Sequence, residues 1–139
     1  MASWNWFGRA HRAVYEKTGG RIGARMAGID MLLLTTTGRA SGQPRTLPLA
    51  CLPDGSDLVV VASNSGLARD PAWWLNLRAK PEAEVRLGRE RFRVRAALAT
   101  PEERERLWPR LKQHNRSYAR YERMTSREIP VVVLRRIDG

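Results

Sequence analysis

The sequence predicts a mainly β protein of the α+β class, an antiparallel β-barrel with helices laid over it. Three observations carry that expectation. Candidate strands fall in pairs joined by tight turns, Pro53-Asp54-Gly55-Ser56 and Gly88-Arg89-Glu90, where proline presets φ and glycine takes a positive φ. The strands follow one another too closely for the crossover helices that a parallel sheet needs. No GxGxxG or GxxxxGK[ST] follows a strand, which removes the dinucleotide-binding and P-loop readings. A chain of 139 residues is of ordinary single-domain size, and 42% hydrophobic with 28% charged residues is the composition of a folded chain.

The elements follow in order. Residues 1–25 read as an N-terminal amphipathic helical segment, with Trp4, Phe7, His11 and Val14/Tyr15 on one face, Ser3 as a cap and Thr18-Gly19-Gly20 as the stop. That aromatic face either packs on the domain or lies in a membrane interface. Residues 26–139 form the barrel domain. Its first strand spans residues 31–37, three leucines and three threonines among them, and residues 38–44 form a turn-rich loop. Residues 45–52 make the next strand, with Pro48 placing it at an edge or bulge. Residues 58–63 complete a hairpin, residues 64–70 are loop, and Pro71 opens a helix over residues 72–77. The second hairpin pairs residues 84–87 with 92–99, where Phe92, Val94 and Ala96 alternate with Arg91, Arg93 and Arg95. Pro101 with Glu102-Glu103 starts a helix that runs to about Lys112. Residues 130–137 close as a strand.

The charge is the unusual number: 25 Lys+Arg against 14 Asp+Glu give a net +11. Nucleic acid, an anionic membrane or a small polyanion is then the first partner to consider. The excess spreads evenly, 4 in residues 1–25, 3 in 26–100 and 4 in 101–139, without the basic stripe of a nucleic-acid binder. No nucleic acid is expected. The single Cys51 excludes an internal disulfide framework, and its apolar surroundings make it a core residue rather than a nucleophile. His11 and His114 lack metal-ligand spacing, so no metal is expected. No apolar run is long enough to span a bilayer and no signal-peptide layout opens the chain, so the expectation is cytoplasmic, with peripheral contact at the inner face of the membrane as the alternative for the N-terminal helix.

Two polar constellations could carry chemistry. The loop Thr35-Thr36-Thr37-Gly38-Arg39-Ala40-Ser41-Gly42-Gln43-Pro44-Arg45-Thr46 offers two guanidinium groups, several hydroxyls, and glycines that let backbone N–H groups approach an anion. The second runs Val61-Ala62-Ser63-Asn64-Ser65-Gly66 and then Asp70-Pro71-Ala72-Trp73-Trp74-Leu75-Asn76-Leu77, small polar residues beside an aromatic wall that suits a flat heteroaromatic ring. Trp73 and Trp74 cannot share one helix side, so one of them is expected in the core. An exposed loop and a pair of core tryptophans are the plainer accounts of the two.

Through LLLTTTGRASGQPRTLPL, DGSDLVVVASNSG, DPAWWLNLRAKPEAEV and YARYERMTSREIPVVVL, in that order, the sequence resembles the deazaflavin-dependent nitroreductase and quinone reductase family of actinobacteria, which use coenzyme F420. The resemblance covers most of residues 28–134. It implies a split β-barrel of the FMN-binding-like kind with the deazaflavin in a groove. It implies that Arg39, Ala40, Ser41, Gly42, Gln43, Pro44, Arg45 and Thr46 hold the phosphate and polyglutamate tail. Ala62, Ser63, Asn64, Pro71, Ala72, Trp73 and Asn76 then line the ring and ribityl region, and Tyr118 and Tyr121 flank the substrate. Two positions depart from the family pattern: Ala40 where a second basic residue is usual, and Asp70 where histidine is usual.

The two readings converge. A cofactor with a phosphodiester and an oligoglutamate tail is a small polyanion, and one that carries the hydride chemistry leaves no need for a nucleophile or metal in the protein. The expectation is an F420H2-dependent oxidoreductase reducing a flat, electron-poor quinone, nitroaromatic or activated enone. Ser63 and Tyr121 are the candidates to hydrogen-bond the substrate oxygen or donate a proton. The alternatives are a basic binding module for anionic membrane or nucleic acid, and a split-barrel protein that binds FMN. Barrels of this size often pair, so a homodimer is a further expectation.

Overall fold

The computed structural model describes residues 25–26 and 29–137. The amphipathic helix expected over residues 1–25 lies outside them, apart from Arg25. Among the described residues, eight strands form one antiparallel system: β1 (Arg25–Met26), β2 (Ile29–Thr37), β3 (Pro44–Ala50), β4 (Leu52–Asp54), β5 (Asp57–Val61), β6 (Glu82–Leu87), β7 (Glu90–Leu98) and β8 (Val131–Arg136). Three α-helices among the described residues join them: α1 (Ala72–Ala79), α2 (Pro101–His114) and α3 (Ser117–Met124).

The strands run in the order β1-β2-β6-β7-β8-β5-β4, and β3 pairs with the other edge of β2. This order curls into a barrel because β3 and β4 are nearly one strand. Through Ala50 the chain pairs with β2, where Met31 faces Ala50; from Leu52 it pairs with β5, where Leu52 faces Val59. Cys51 is the corner between them, its N–H donating to the Asp30 carbonyl at 2.9 Å. The expected single strand over residues 45–52 is thus divided at Cys51, since one chain must turn from one end of the sheet to the other. Pro48 sits in β3, whose ladder partner among the described residues is β2, so its missing N–H breaks no second ladder.

Two apolar clusters hold the fold. Inside the barrel, Leu32, Leu34, Leu58, Val60, Val85, Val94, Val132 and Leu134 meet Trp73, Trp74 and Leu77 of α1. On the outer face of β5 and β8, Val59, Val61, Val131 and Val133 meet Leu107, Trp108 and Leu111 of α2 and Tyr118 of α3. This explains the hydropathy patterns. β5 and β8 are covered on both faces and read as continuous apolar runs. β7 has a solvated outer face and alternates, with Val94 and Ala96 inside and Arg91, Arg93 and Arg95 exposed.

Three details depart from the sequence reading. Both Trp73 and Trp74 are buried in the interior cluster, because α1 sits in the barrel mouth and buries an arc wider than the ~100° between consecutive residues. Pro71 is the N-cap of α1 rather than a residue of its first turn. Helix α3 was not foreseen, because Tyr118 is its one buried side chain. Helix α2 starts at Pro101 as expected, and Thr100, which the sequence reading did not single out, closes a capping box there: the Glu103 N–H donates to Thr100 Oγ1 at 3.2 Å and the Thr100 N–H to Glu103 Oε1 at 3.0 Å.

Candidate functional site

A cleft of about 800 Å3 opens between the β2–β3 loop, the segment after β5 and the start of α1. Arg39, Ala40, Ser41, Arg45, Thr46, Ser63, Asn64, Pro71, Ala72, Trp73 and Asn76 all line it, so segments far apart in sequence meet in one cavity. Leu47, Leu49 and Leu67, which the sequence reading did not single out, join Val61 in an apolar wall. Gly42 and Pro44 line a separate, smaller groove beside Lys80 and Arg93, on the other side of the same loop. Gln43 and Ala62 border the cleft through their neighbours rather than by lining it.

The arginine loop is built by its own residues. Gly38 N–H donates to the Gln43 carbonyl and Gly42 N–H to the Gly38 carbonyl, each at 2.8 Å, with Gly42 at φ +72°. A β-carbon on Gly38 would lie 2.7 Å from Ser41 Oγ and 3.2 Å from the Gln43 carbonyl, so a larger residue here would displace the Ser41 hydroxyl that Arg45 and the Gln43 N–H use. Ser41 Oγ accepts from the Gln43 N–H at 3.1 Å and from Arg45 Nη2 at 3.2 Å. Arg39 is held differently. Its backbone N–H and Nη1 both donate to Asn76 Oδ1, at 3.1 and 2.9 Å. Asn76 is buried in α1 and donates in turn to Thr36 Oγ1 at 3.1 Å. The partners of both guanidinium groups are neutral, and the ion pairs found among the described residues include neither Arg39 nor Arg45. Two positive charges therefore face the cleft without a carboxylate partner among the described residues.

The opposite lip is the segment from Ser63 to Asp70. Asn64 and Ser65 have φ of +48° and +56°, a left-handed backbone that costs a non-glycine residue about 1–3 kcal/mol unless its surroundings fix it. Gly66, at φ +81°, packs so closely on Met124 of α3 that a β-carbon would lie 3.0 Å from its Sδ. Arg127, which sequence reasoning missed, is bonded to both ends of this segment. It pairs with Asp70 at 2.8 Å and donates to the carbonyls of Ala62, Ser63 and Leu67 at 3.2, 3.0 and 3.1 Å. Asp70, the acidic departure in the motif, is thus neutralised from within the chain.

Tyr118 and Tyr121 are placed elsewhere. Tyr118 is buried on Trp108 with ring centroids 6.2 Å apart, and burial pushes its phenol up to about 12. Tyr121 is half-buried beside it, 6.5 Å between centroids, with the Arg120 guanidinium 5.3 Å above its ring. Neither lines the cleft, although α3 packs on the turn formed by Asn64–Gly66. Burial likewise pushes the Cys51 thiol up to about 12, which keeps it protonated and unreactive. Among the described residues no cluster of His, Cys, Asp or Glu is arranged to hold a metal ion.

The profile of the F420H(2)-dependent quinone reductase family matches residues 6–136. The chain belongs to that family. F420H(2)-dependent quinone reductase Rv1261c of Mycobacterium tuberculosis is 44% identical to this family member over 132 residues, 92% of this chain and 89% of that protein. Among solved structures, F420-H2 dependent reductase FDR-A is 33% identical with a TM-score of 0.69, covering 75% of this chain and 92% of that one. A chain described as a domain-swapped dimer is 29% identical with a TM-score of 0.73, covering 95% and 98%. The neighbours share the split-barrel architecture, and family membership makes this chain an F420H2-dependent reductase.

The residues present fit the cofactor. Arg39 and Arg45 are donors of the kind that an anionic tail would take, and the wall of Leu47, Leu49, Val61 and Trp73 is of the kind that an aromatic ring would take.

Proposed function

We propose that this protein uses reduced F420 to reduce a quinone within the cleft between Arg45 and Trp73. The observation that carries this is the pair of cationic side chains, without carboxylate partners among the described residues, at one end of a cleft whose wall is apolar. A cofactor with a flat ring and a polyanionic tail satisfies both ends, which a neutral ligand does not. When bound, the reduced deazaflavin supplies the hydride.

The protein's own part is binding and placement. Arg45, Ser41 and the backbone of residues 38–43 hold the anionic portion, and Arg39 fixes Asn76 while presenting its charge to the same region. Leu47, Leu49, Val61 and Trp73 keep water from the ring and strengthen every polar contact beside it. Ser63 is the donor for the oxygen where charge develops on the substrate. Tyr121 lies outside the lining of the cleft, so its part as a donor requires the substrate to extend from Ser63 toward α3, the helix that packs on the turn after Ser63. Nitroaromatics and activated enones, flat and electron-poor like a quinone, belong to the same substrate class. Pairing of two copies is part of this reading, supported by the domain-swapped dimer among the related structures. Contact of the Trp4, Trp6 and Phe7 segment with an anionic membrane surface is a further part, supported by its aromatic and arginine pattern.

The test is titration with F420, FMN and NADPH, followed by oxidation of F420H2 with small quinones, nitroaromatics and enones. F420 is expected to bind most tightly and a quinone to oxidise F420H2. Tighter FMN binding, or no turnover with F420H2, overturns the proposal. The same assay on Ser63→Ala and Tyr121→Phe should show slower turnover, and an unchanged rate in both removes their assigned roles. Sedimentation at a monomer mass removes the dimer, and full-length protein that leaves anionic liposomes unbound removes the membrane contact.

A further inference from the structure

We infer that Arg127 is a positioning residue for the reaction, acting through the backbone of Ser63 to Asp70; the inference rests on the function proposed above. Its side chain is 17% exposed and lies behind the cleft lip rather than in the cleft. One guanidinium reaches both ends of the segment. Nη2 donates to the carbonyls of Ala62 and Ser63, just beyond the last β5–β8 ladder pair, Val61 with Val131. Nε donates to the Leu67 carbonyl and Nη1 to the Asp70 carboxylate. Ser63 and Leu67 therefore stand at fixed separation, and the residues between them have little choice but the left-handed turn through Asn64 and Ser65. Remaining bonds within the segment are local: Gly66 N–H to the Ser63 carbonyl, Leu67 N–H to the Asn64 carbonyl and Asn64 Nδ2 to the Arg69 carbonyl.

The planar fork is what the arrangement needs. An ammonium at the same place could meet Asp70 but has no geometry that serves three carbonyls spread around a plane. Asp70 in turn sets the plane by fixing one edge of the guanidinium. Ser63, Asn64, Ser65 and Leu67 all line the cleft, whereas the arginine loop that holds the other end of the cofactor makes no bond to Arg127. Loss of Arg127 should thus disturb turnover at the ring end and leave tail binding in place.

The test compares wild type with Arg127→Met, Arg127→Lys and Asp70→Asn, measuring F420 affinity by fluorescence titration, kcat for a quinone per F420-binding site, and Tm. Expected is a fall of about tenfold or more in kcat for Arg127→Met, with the F420 Kd changed less than threefold. Arg127→Lys should recover little of the loss, and Asp70→Asn, which keeps the three carbonyl bonds, should fall between. A kcat per binding site equal to wild type in Arg127→Met, or full rescue by lysine, overturns the inference. If Arg127→Met does not fold, Asp70→Asn and Arg127→Lys decide it by the same ratio of kcat to Kd. Wild type that fails to oxidise F420H2 at all refutes the function instead, a different outcome from equal rates in wild type and variants.

Discussion

Arg39 and Arg45 flank one short loop, yet the structure uses them differently. Arg39 is tied to Asn76 through two bonds and belongs to the frame, while Arg45 leans on the Ser41 hydroxyl and keeps its charge available. Arg45→Met should accordingly weaken F420 binding without changing Tm. A charge-assisted hydrogen bond is worth about 1.5–3 kcal/mol, so the Kd should rise roughly ten- to hundredfold in a fluorescence titration. An unchanged Kd takes Arg45 out of the site. This loop was legible in the sequence because its glycines, hydroxyls and arginines are neighbours along the chain and shape one another locally. Arg127 was not legible, since its partners lie 57 to 65 residues away and an isolated arginine before a closing strand carries no local signal. Cys51 stands between: its apolar context pointed to the core, and burial with a raised thiol agrees.

At the scale of elements, the helices show what local signals can and cannot carry. The start of α2 is written in Thr100-Pro101-Glu102-Glu103, and the capping box forms as those residues require. Thr100→Ala removes the Oγ1 acceptor and should cost about 1 kcal/mol, a fall in Tm of about 3–5 °C by calorimetry. No change in Tm means that the barrel, not the cap, holds that end of α2. Helix α3 has no comparable signature. Its one buried side chain, Tyr118, finds Trp108 only because α2 has already packed on the outer face of β5 and β8. Strand β8 was read correctly as a strand, but its apolar run alone does not tell a strand covered on both faces from a buried helix segment. The expected strand over residues 130–137 is observed as Val131–Arg136, with Pro130 just outside it.

Across the whole molecule the positive excess is partly spent on tying elements together. Asp54 in the β4–β5 hairpin takes two bonds from Arg106, both 3.0 Å, and one from Arg110, so α2 is fastened to the hairpin; Glu103 takes Arg135 of β8 at 2.8 Å. These contacts, with the Arg106 bond first for Asp54 and the Thr100 backbone bond first for Glu103, hold both carboxyls below their usual 3.8 and 4.5. A carboxyl lowered in the folded state stabilises it above the unfolded value, and that contribution disappears as pH falls through the lowered one. Chemical denaturation between pH 7 and 3 should thus show stability constant above about pH 5 and declining below the ordinary carboxyl values. Asp54→Asn should flatten that decline, and an identical acid slope in the variant excludes Asp54 as a source. Both carboxylates keep partial contact with water, their side chains 21% and 24% exposed, so the effect is small for each. The sequence by itself determined most of the strands, the hairpin turns, the start of α2 at Pro101 and the arginine loop, because each depends on residues a few positions apart. Only the tertiary structure decided that the β3–β4 corner carries the chain around the barrel. Only it placed Trp73 and Trp74 in one core and set Arg127 behind the cleft, since those contacts require distant segments to be brought together first.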